Sequence, residues 1–203
     1  MKPLKRLRAR LAGLRARVRT VASPDYSSRA GTPVTLAVIH TTESPDGSLA
    51  GVAEYFRASP VQVSSHYIVG DAVNQTGVWT DVIRCVDERQ AAWTARSANR
   101  HAVQYELIGR ASRTRAQWLG RYRPQLETTA ALVAEDCVQY GIPVRRARPG
   151  ILGHGDLADY GFPNDHTDPG PGFPWPEFLR MVAKYVRLSQ PPPPAQKVAV
   201  RRP

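Results

Sequence analysis

Two rhythms of apolar and polar positions run along this chain, and the switches between them lay out its elements. Residues 34–40, VTLAVIH, form a short β-branched run that reads as a buried strand ending at His40. SSHYIVG (64–70), WTDVIRCV (79–86) and AVQYELIG (102–109) have the same character and read as further strands, as does the short GILGH ending at His154. Between them the apolar spacing changes to three and four. GSLAGVAEYFRAS predicts a helix capped by Ser48. Residues 115–140 carry helical spacing through Trp118, Leu126, Ala130, Leu132, Val133 and Val138, and stop at Gly141 and Pro143. A closing helix follows over 175–188. Strands interleaved with helices predict a single α/β domain, 34–188, with a mixed central β-sheet flanked by helices.

The two ends have a different texture. Leu4, Leu7, Leu11, Leu14 and Val18 make one apolar stripe on a helix otherwise covered in arginine and lysine over 1–20. Such a segment reads as a binder of anionic lipid or wall polymer, the alternatives being a helix docked on the domain or an unstructured arm. Residues 21–33 read as a linker, and 189–203 as a proline-rich basic tail.

Charge looks at first like a nucleic-acid signature, with a formal +11 over 203 residues. Its placement removes that reading. Residues 1–20 hold eight Lys/Arg and no acid, and Lys197, Arg201 and Arg202 lie in the tail. The 17 remaining cations are matched by 17 acids, so the middle is neutral and a specific nucleic-acid partner is not expected. No apolar run is long enough to span a membrane, and arginine interrupts the N-terminus too often for a secretory signal. Cys85 and Cys137 fit no metal-knuckle spacing. Cys137 reads as a buried inert thiol, and Cys85, on a strand, lacks the setting of a peptidase nucleophile.

The candidate chemistry gathers at the strand ends. His40 and His154 each follow a short apolar strand, and Asp168 lies in a loop clamped by Pro169, Gly170 and Pro171. Two imidazoles and a carboxylate suffice to hold a catalytic Zn²⁺ that keeps one position open. Glu106 sits in the apolar run of Val103, Tyr105 and Leu107, where an unused carboxylate would cost stability. His66 reads as structural and His101 as a surface residue.

The surrounding motifs resemble one family. AVIHTTES is similar to the first zinc-histidine motif of the zinc-dependent N-acetylmuramoyl-L-alanine amidases of the type-2 class, relatives of the peptidoglycan recognition proteins. VSSHYIV resembles their serine-x-histidine-tyrosine strand. AAWTA with NRHAVQYELIG resembles the tryptophan-containing pocket wall and the asparagine that precedes a strand glutamate. ILGHGDL with HTDPGPGFPW resembles the second zinc histidine and the Asp-Pro-Gly turn of the third ligand. These matches run in family order over about residues 34–180.

The resemblance implies Zn²⁺ held by His40, His154 and Asp168, a proton-transferring Glu106, and Trp93, Thr94 and Asn99 lining the substrate groove. It implies hydrolysis of the amide between N-acetylmuramic acid and L-alanine in peptidoglycan, with His166 donating a hydrogen bond to the oxyanion. Thr94 stands where the family often has histidine, His166 where it often has lysine, and Ser65 where some relatives have tyrosine. A recognition module that binds muropeptide without cutting it, and a bacterial muropeptide-recycling amidase, are the alternatives. The further expectation is a monomeric phage endolysin, cytoplasmic until released onto the wall. The excess of arginine over lysine (24 to 4) loosely suggests a G+C-rich, actinobacterial host.

Overall fold

The computed structural model describes residues 2–58, 60–73 and 78–191. Its centre is a six-stranded sheet in the order β1 (Val18–Thr20), β5 (Thr80–Arg84), β4 (Tyr67–Val73), β7 (Ala102–Leu107), β3 (Leu36–Thr41) and β8 (Gly150–Gly153). All neighbouring pairs are parallel except β4 with β5. The middle strands β3 and β7 are buried along their whole length, which explains their continuous apolar character. Helices α1 (Pro3–Arg10), α2 (Ala12–Arg15), α3 (Leu49–Ala58), α4 (Arg115–Leu119), α5 (Arg123–Tyr140) and α6 (Trp175–Arg187) complete the domain. The mixed sheet flanked by helices is the architecture the alternation predicts.

The two faces of the sheet differ. Ala37, Ile39, Val103, Tyr105 and Leu107 face the main core, against α5, α6 and the N-terminal helices. Leu36, Val38, Ala102 and Leu152 face the other way into a small cluster with Leu157 and Phe162, and Ile68, Ile83 and Ile108 into a second small cluster with α3. The gap between those two small clusters is where polar side chains collect.

Helix α5 lies under the sheet and is buried from Gln125 to Cys137, with Ala130, Ala131 and Ala134 small enough to let the neighbouring elements close in. Its buried polar groups are used: Gln125 donates to the carbonyls of Val69 (2.9 Å) and Ile108 (3.0 Å). The single helix expected over 115–140 is interrupted at Gly120. A Thr114–Gln117 capping box starts α4, and Pro124 occupies the first turn of α5, where its missing N–H removes no helical bond. Ser48 precedes α3, its carbonyl accepting from the Val52 N–H (2.9 Å) and its hydroxyl donating to the Pro45 carbonyl (2.7 Å).

The N-terminus corrects the expectation drawn from its stripe. Leu7, Leu11 and Leu14 are buried in the main core, and Arg8 (2.9 Å) and Arg15 (3.3 Å) pair with Glu135 of α5. The segment then adds β1 to the edge strand β5. The leucines are spent on the domain itself and are closed to a lipid surface, so the docked helix is the correct alternative. Residues 21–33 are likewise not a free linker. β2 (Tyr26–Ser28) pairs with β6 (Gln90–Ala92), while Ser23 and Arg29 are buried. Arg29 donates to the carbonyls of Glu88, Arg100 and Ala102 at 2.7–2.9 Å, which ties this strand pair to the start of β7. Of the proline-rich tail, residues 192–203 lie outside the described residues.

Candidate active site

His40 is carried on β3 and Glu106 on β7, directly opposite one another in register, so both emerge on the face between the two small clusters. His154 follows β8 at the start of a 3₁₀ segment, His154–Tyr160. Asp168 arrives from a loop that presses onto this strand end. Gly153 is required there, because a Cβ at that position would lie 2.7 Å from Pro169. Gly170 has a φ of +83°, and a Cβ on it would sit 2.0 Å from the Ala111 carbonyl. The glycines around His154 and Asp168 therefore let two backbones approach closely enough for their side chains to meet.

They do meet. His40 Nδ1 lies 3.0 Å from His154 Nδ1 and 3.3 Å from Asp168 Oδ2, and His154 Nδ1 lies 3.4 Å from Asp168 Oδ1. All three residues are buried, and their ligand atoms fall within 4.8 Å of one another. The Thr41 backbone N–H also donates to Asp168, at 3.3 Å. Burial alone would raise the Asp168 carboxyl, but the bonds from His154 and His40 hold it well below the usual carboxylate range. Burial lowers His154, more than Asp168 restores it. An N₂O donor set of two imidazoles and an ionised carboxylate fits a divalent cation of the zinc type.

His166 belongs to the same group. Its ring stacks on His154 at 4.0 Å, and its Nδ1 lies 3.5 Å from Asp168 Oδ1. Its side chain is half exposed, and desolvation, then the neighbouring His154, lower its pKa. Asn164, which the sequence reading missed, ties the two histidines together, donating to the His154 carbonyl (2.7 Å) and accepting from the His166 N–H (3.0 Å).

Glu106 stands apart as a lone buried acid. Its Oε2 has no hydrogen-bond partner among the described residues. Burial, then the charges of Asp168 and Glu43, push its carboxyl up to about 8. It opens onto a cleft of about 520 Å³ lined by Thr41, Thr42, Ser44 and, from α3, Val52, Tyr55 and Phe56.

Trp93, Thr94 and Asn99 do not line that cleft. Trp93 donates to Ser27 (3.2 Å) through its indole and to Ser64 (2.9 Å) through its backbone, and the Thr94 hydroxyl donates to the Ser64 carbonyl. The Asn99 Oδ1 accepts from the backbone N–H groups of Thr94 (3.2 Å) and Ala95 (2.6 Å). His66 is fully buried and held neutral near 3 by desolvation, its Nδ1 accepting from the Gln104 N–H at 3.0 Å. His101 is half-buried against Phe162. Both cysteines are free and buried, their thiols pushed up to about 12, so neither offers a nucleophile.

The fold and site define a mixed α/β domain with a metal-capable His–His–Asp cluster beside a buried acid. The chain belongs to the Amidase_2 family of N-acetylmuramoyl-L-alanine amidases, whose model matches residues 30–171. It is 27% identical over 175 residues to N-acetylmuramoyl-L-alanine amidase A of Achromobacter lyticus, covering 79% of this chain and 90% of that protein. Among solved structures it is similar to the Staphylococcus aureus hydrolase AmiA in complex with its ligand (TM-score 0.68, 12% identity, 90% of each chain). It is also similar to an AmpD derivative (TM-score 0.61, 22% identity), covering 82% of this chain and 95% of the other. AmiD of E. coli bound to an anhydro-muramoyl peptide aligns with a TM-score of 0.56 at 23% identity, over 76% of this chain and 60% of that one. At these identities the structures establish the fold.

Proposed function

We propose that this peptidoglycan amidase is zinc-dependent and cuts the bond between the lactyl carbonyl of N-acetylmuramic acid and L-alanine, with His40, His154 and Asp168 holding the ion. The observation that carries the reading is the convergence of those three buried groups within 4.8 Å next to an unpartnered buried glutamate. When bound, Zn²⁺ supplies a Lewis acid for the scissile carbonyl and an acidified water.

The chain's own residues supply the rest. Glu106, with its carboxyl near 8, takes the proton of the attacking water and returns it to the leaving amine. A carboxylate raised that far is a stronger base than an ordinary exposed glutamate, which suits it to take a proton from water. His166, kept neutral by desolvation and by His154, donates its ring N–H to the oxyanion. The cleft beside Glu106 has hydroxyls on one wall and apolar side chains on the other, suited to a peptide with small side chains.

The test is chelation and reconstitution. Exhaustive dialysis against chelator should abolish release of L-alanine N-termini from purified walls, and one equivalent of Zn²⁺ should restore it. Retained activity after chelation sinks the proposal. Cleavage of intact sacculi in preference to soluble muropeptide would favour the wall-lytic, endolysin setting over recycling.

A further inference from the structure

Between the cluster and the body of the sheet lies a chain of amides whose directions are set by backbone groups. It starts at Thr94 and Ala95, whose N–H groups both donate to Asn99 Oδ1. A backbone N–H is a donor in every protonation state, so these two bonds fix which end of the Asn99 amide is oxygen. That oxygen also receives the Gln104 side-chain Nε2 at 2.9 Å, and the Ala92 carbonyl receives the same nitrogen at 3.2 Å. Both partners are pure acceptors, so the Gln104 amide is fixed in turn. Its Oε1 is left facing His40 Nε2 at 3.0 Å. An amide oxygen only accepts, so His40 must carry its proton on Nε2. Of the two neutral tautomers, this selects the one whose Nδ1 lone pair faces His154 and Asp168.

Gln104 is itself immobilised. It is fully buried, its backbone N–H donates to His66 Nδ1 (3.0 Å), and its carbonyl accepts from the Ser65 hydroxyl (2.9 Å). Every polar group of this residue is therefore satisfied, and among its partners only the two histidine rings could reverse their roles, of which His66 is kept neutral by burial.

We propose that Gln104 is a positioning residue, one that sets the tautomer of His40 by transmitting the hydrogen-bond polarity of the Thr94–Ala95 backbone through Asn99. The inference rests on the reading of His40 as a metal ligand. Its consequence is that the site is ready for a cation before one arrives: His40 has no tautomer to exchange and no ring to turn. Groups of this kind behind a ligating histidine typically contribute 10- to 100-fold in metal affinity.

The test uses the full chain, with Zn²⁺ alone as probe, and has two readouts. Two-bond ¹H–¹⁵N correlation spectra of the metal-free protein report the His40 tautomer, and competition with a chromophoric chelator reports Zn²⁺ affinity. The wild type should show a single Nε2–H tautomer. Gln104→Leu should give mixed tautomers and weaken Zn²⁺ binding by roughly 10- to 100-fold. Asn99→Asp, whose carboxylate still accepts from the Gln104 amide, should keep the single tautomer and most of the affinity. Wild-type tautomer and affinity in Gln104→Leu would overturn the proposal. If that variant does not fold, mixed His40 tautomers in the wild type overturn it instead. A wild type that holds one tautomer but takes up no Zn²⁺ would defeat the metal reading while leaving the role of Gln104 intact.

Discussion

Glu106 trades stability for reactivity, and the trade has a definite pH signature. Its folded-state carboxyl is raised to about 8 from an ordinary 4.5, so between those values the folded protein keeps a proton that the unfolded chain has lost. The sign follows: the contribution of Glu106 to the stability of the metal-free protein is most favourable below about pH 4.5, falls as pH rises to 8, and levels off above. Each unit is worth about 1.4 kcal/mol, so the penalty for ionised Glu106 approaches about 4–5 kcal/mol at alkaline pH. Glu106→Gln should therefore unfold at higher denaturant than wild type at pH 8 after chelation, with the gap closing toward pH 4.5. The same variant should lose on the order of 10²–10⁴ in turnover with zinc bound, since proton transfer is what it lacks. A variant no more stable than wild type at pH 8 would mean that Glu106 is solvated. His166→Ala should cost roughly 10²–10³ in turnover at unchanged zinc content, the usual loss for one oxyanion donor. A change in melting temperature with no change in rate would make His166 structural instead.

Elements decide how accurately these side chains are delivered. The turn carrying Asp168 touches the end of β8 through Pro169 and Gly153, and a methyl group at 153 would push them apart. Gly153→Ala is expected to leave the sheet intact by circular dichroism while weakening Zn²⁺ binding by at least about tenfold, the effect of a displaced ligand. Equal affinity would show that the loop follows the strand. At the other end of the chain, Leu11→Ala should cost about 2–5 kcal/mol, as a buried leucine does. Removing residues 2–20 should unfold the domain or lower its melting temperature sharply. A truncation that melts like wild type would return the segment to the role of a free arm. The strands that deliver His40, Glu106 and His154 were legible as apolar runs, because a strand buried on both faces has little else to show. β1, β2 and β6 were not, since three residues carry no periodicity. The leucine stripe announced a helix with an apolar contact, but spacing cannot say whether the partner is a membrane or α5. Asn99 and Gln104 illustrate the same limit among polar residues. Gln104 shares the face of Glu106 two positions away, a signal available in QYE, whereas the acceptor role of Asn99 depends on a loop that only folding brings to it.

For the molecule as a whole, the sheet separates two jobs. The main core lies on the helical face, and the His–His–Asp cluster on the other, so the ion should be dispensable for folding though not for activity. We expect the chelated protein to unfold in one cooperative transition, and Zn²⁺ at 100 times its Kd to add about 2.7 kcal/mol. Loss of the near-ultraviolet signal on chelation alone would contradict this. The division also has a geometric consequence. Arg6 of α1 donates to the Ser189 carbonyl just beyond α6 at 2.7 Å, so the two extremities of the domain meet, and they meet behind the sheet. The enzyme thus has a handle on the reverse of its cutting face. A tether, a surface or a second protein joined at either extremity would leave the cleft turned outward and uncovered.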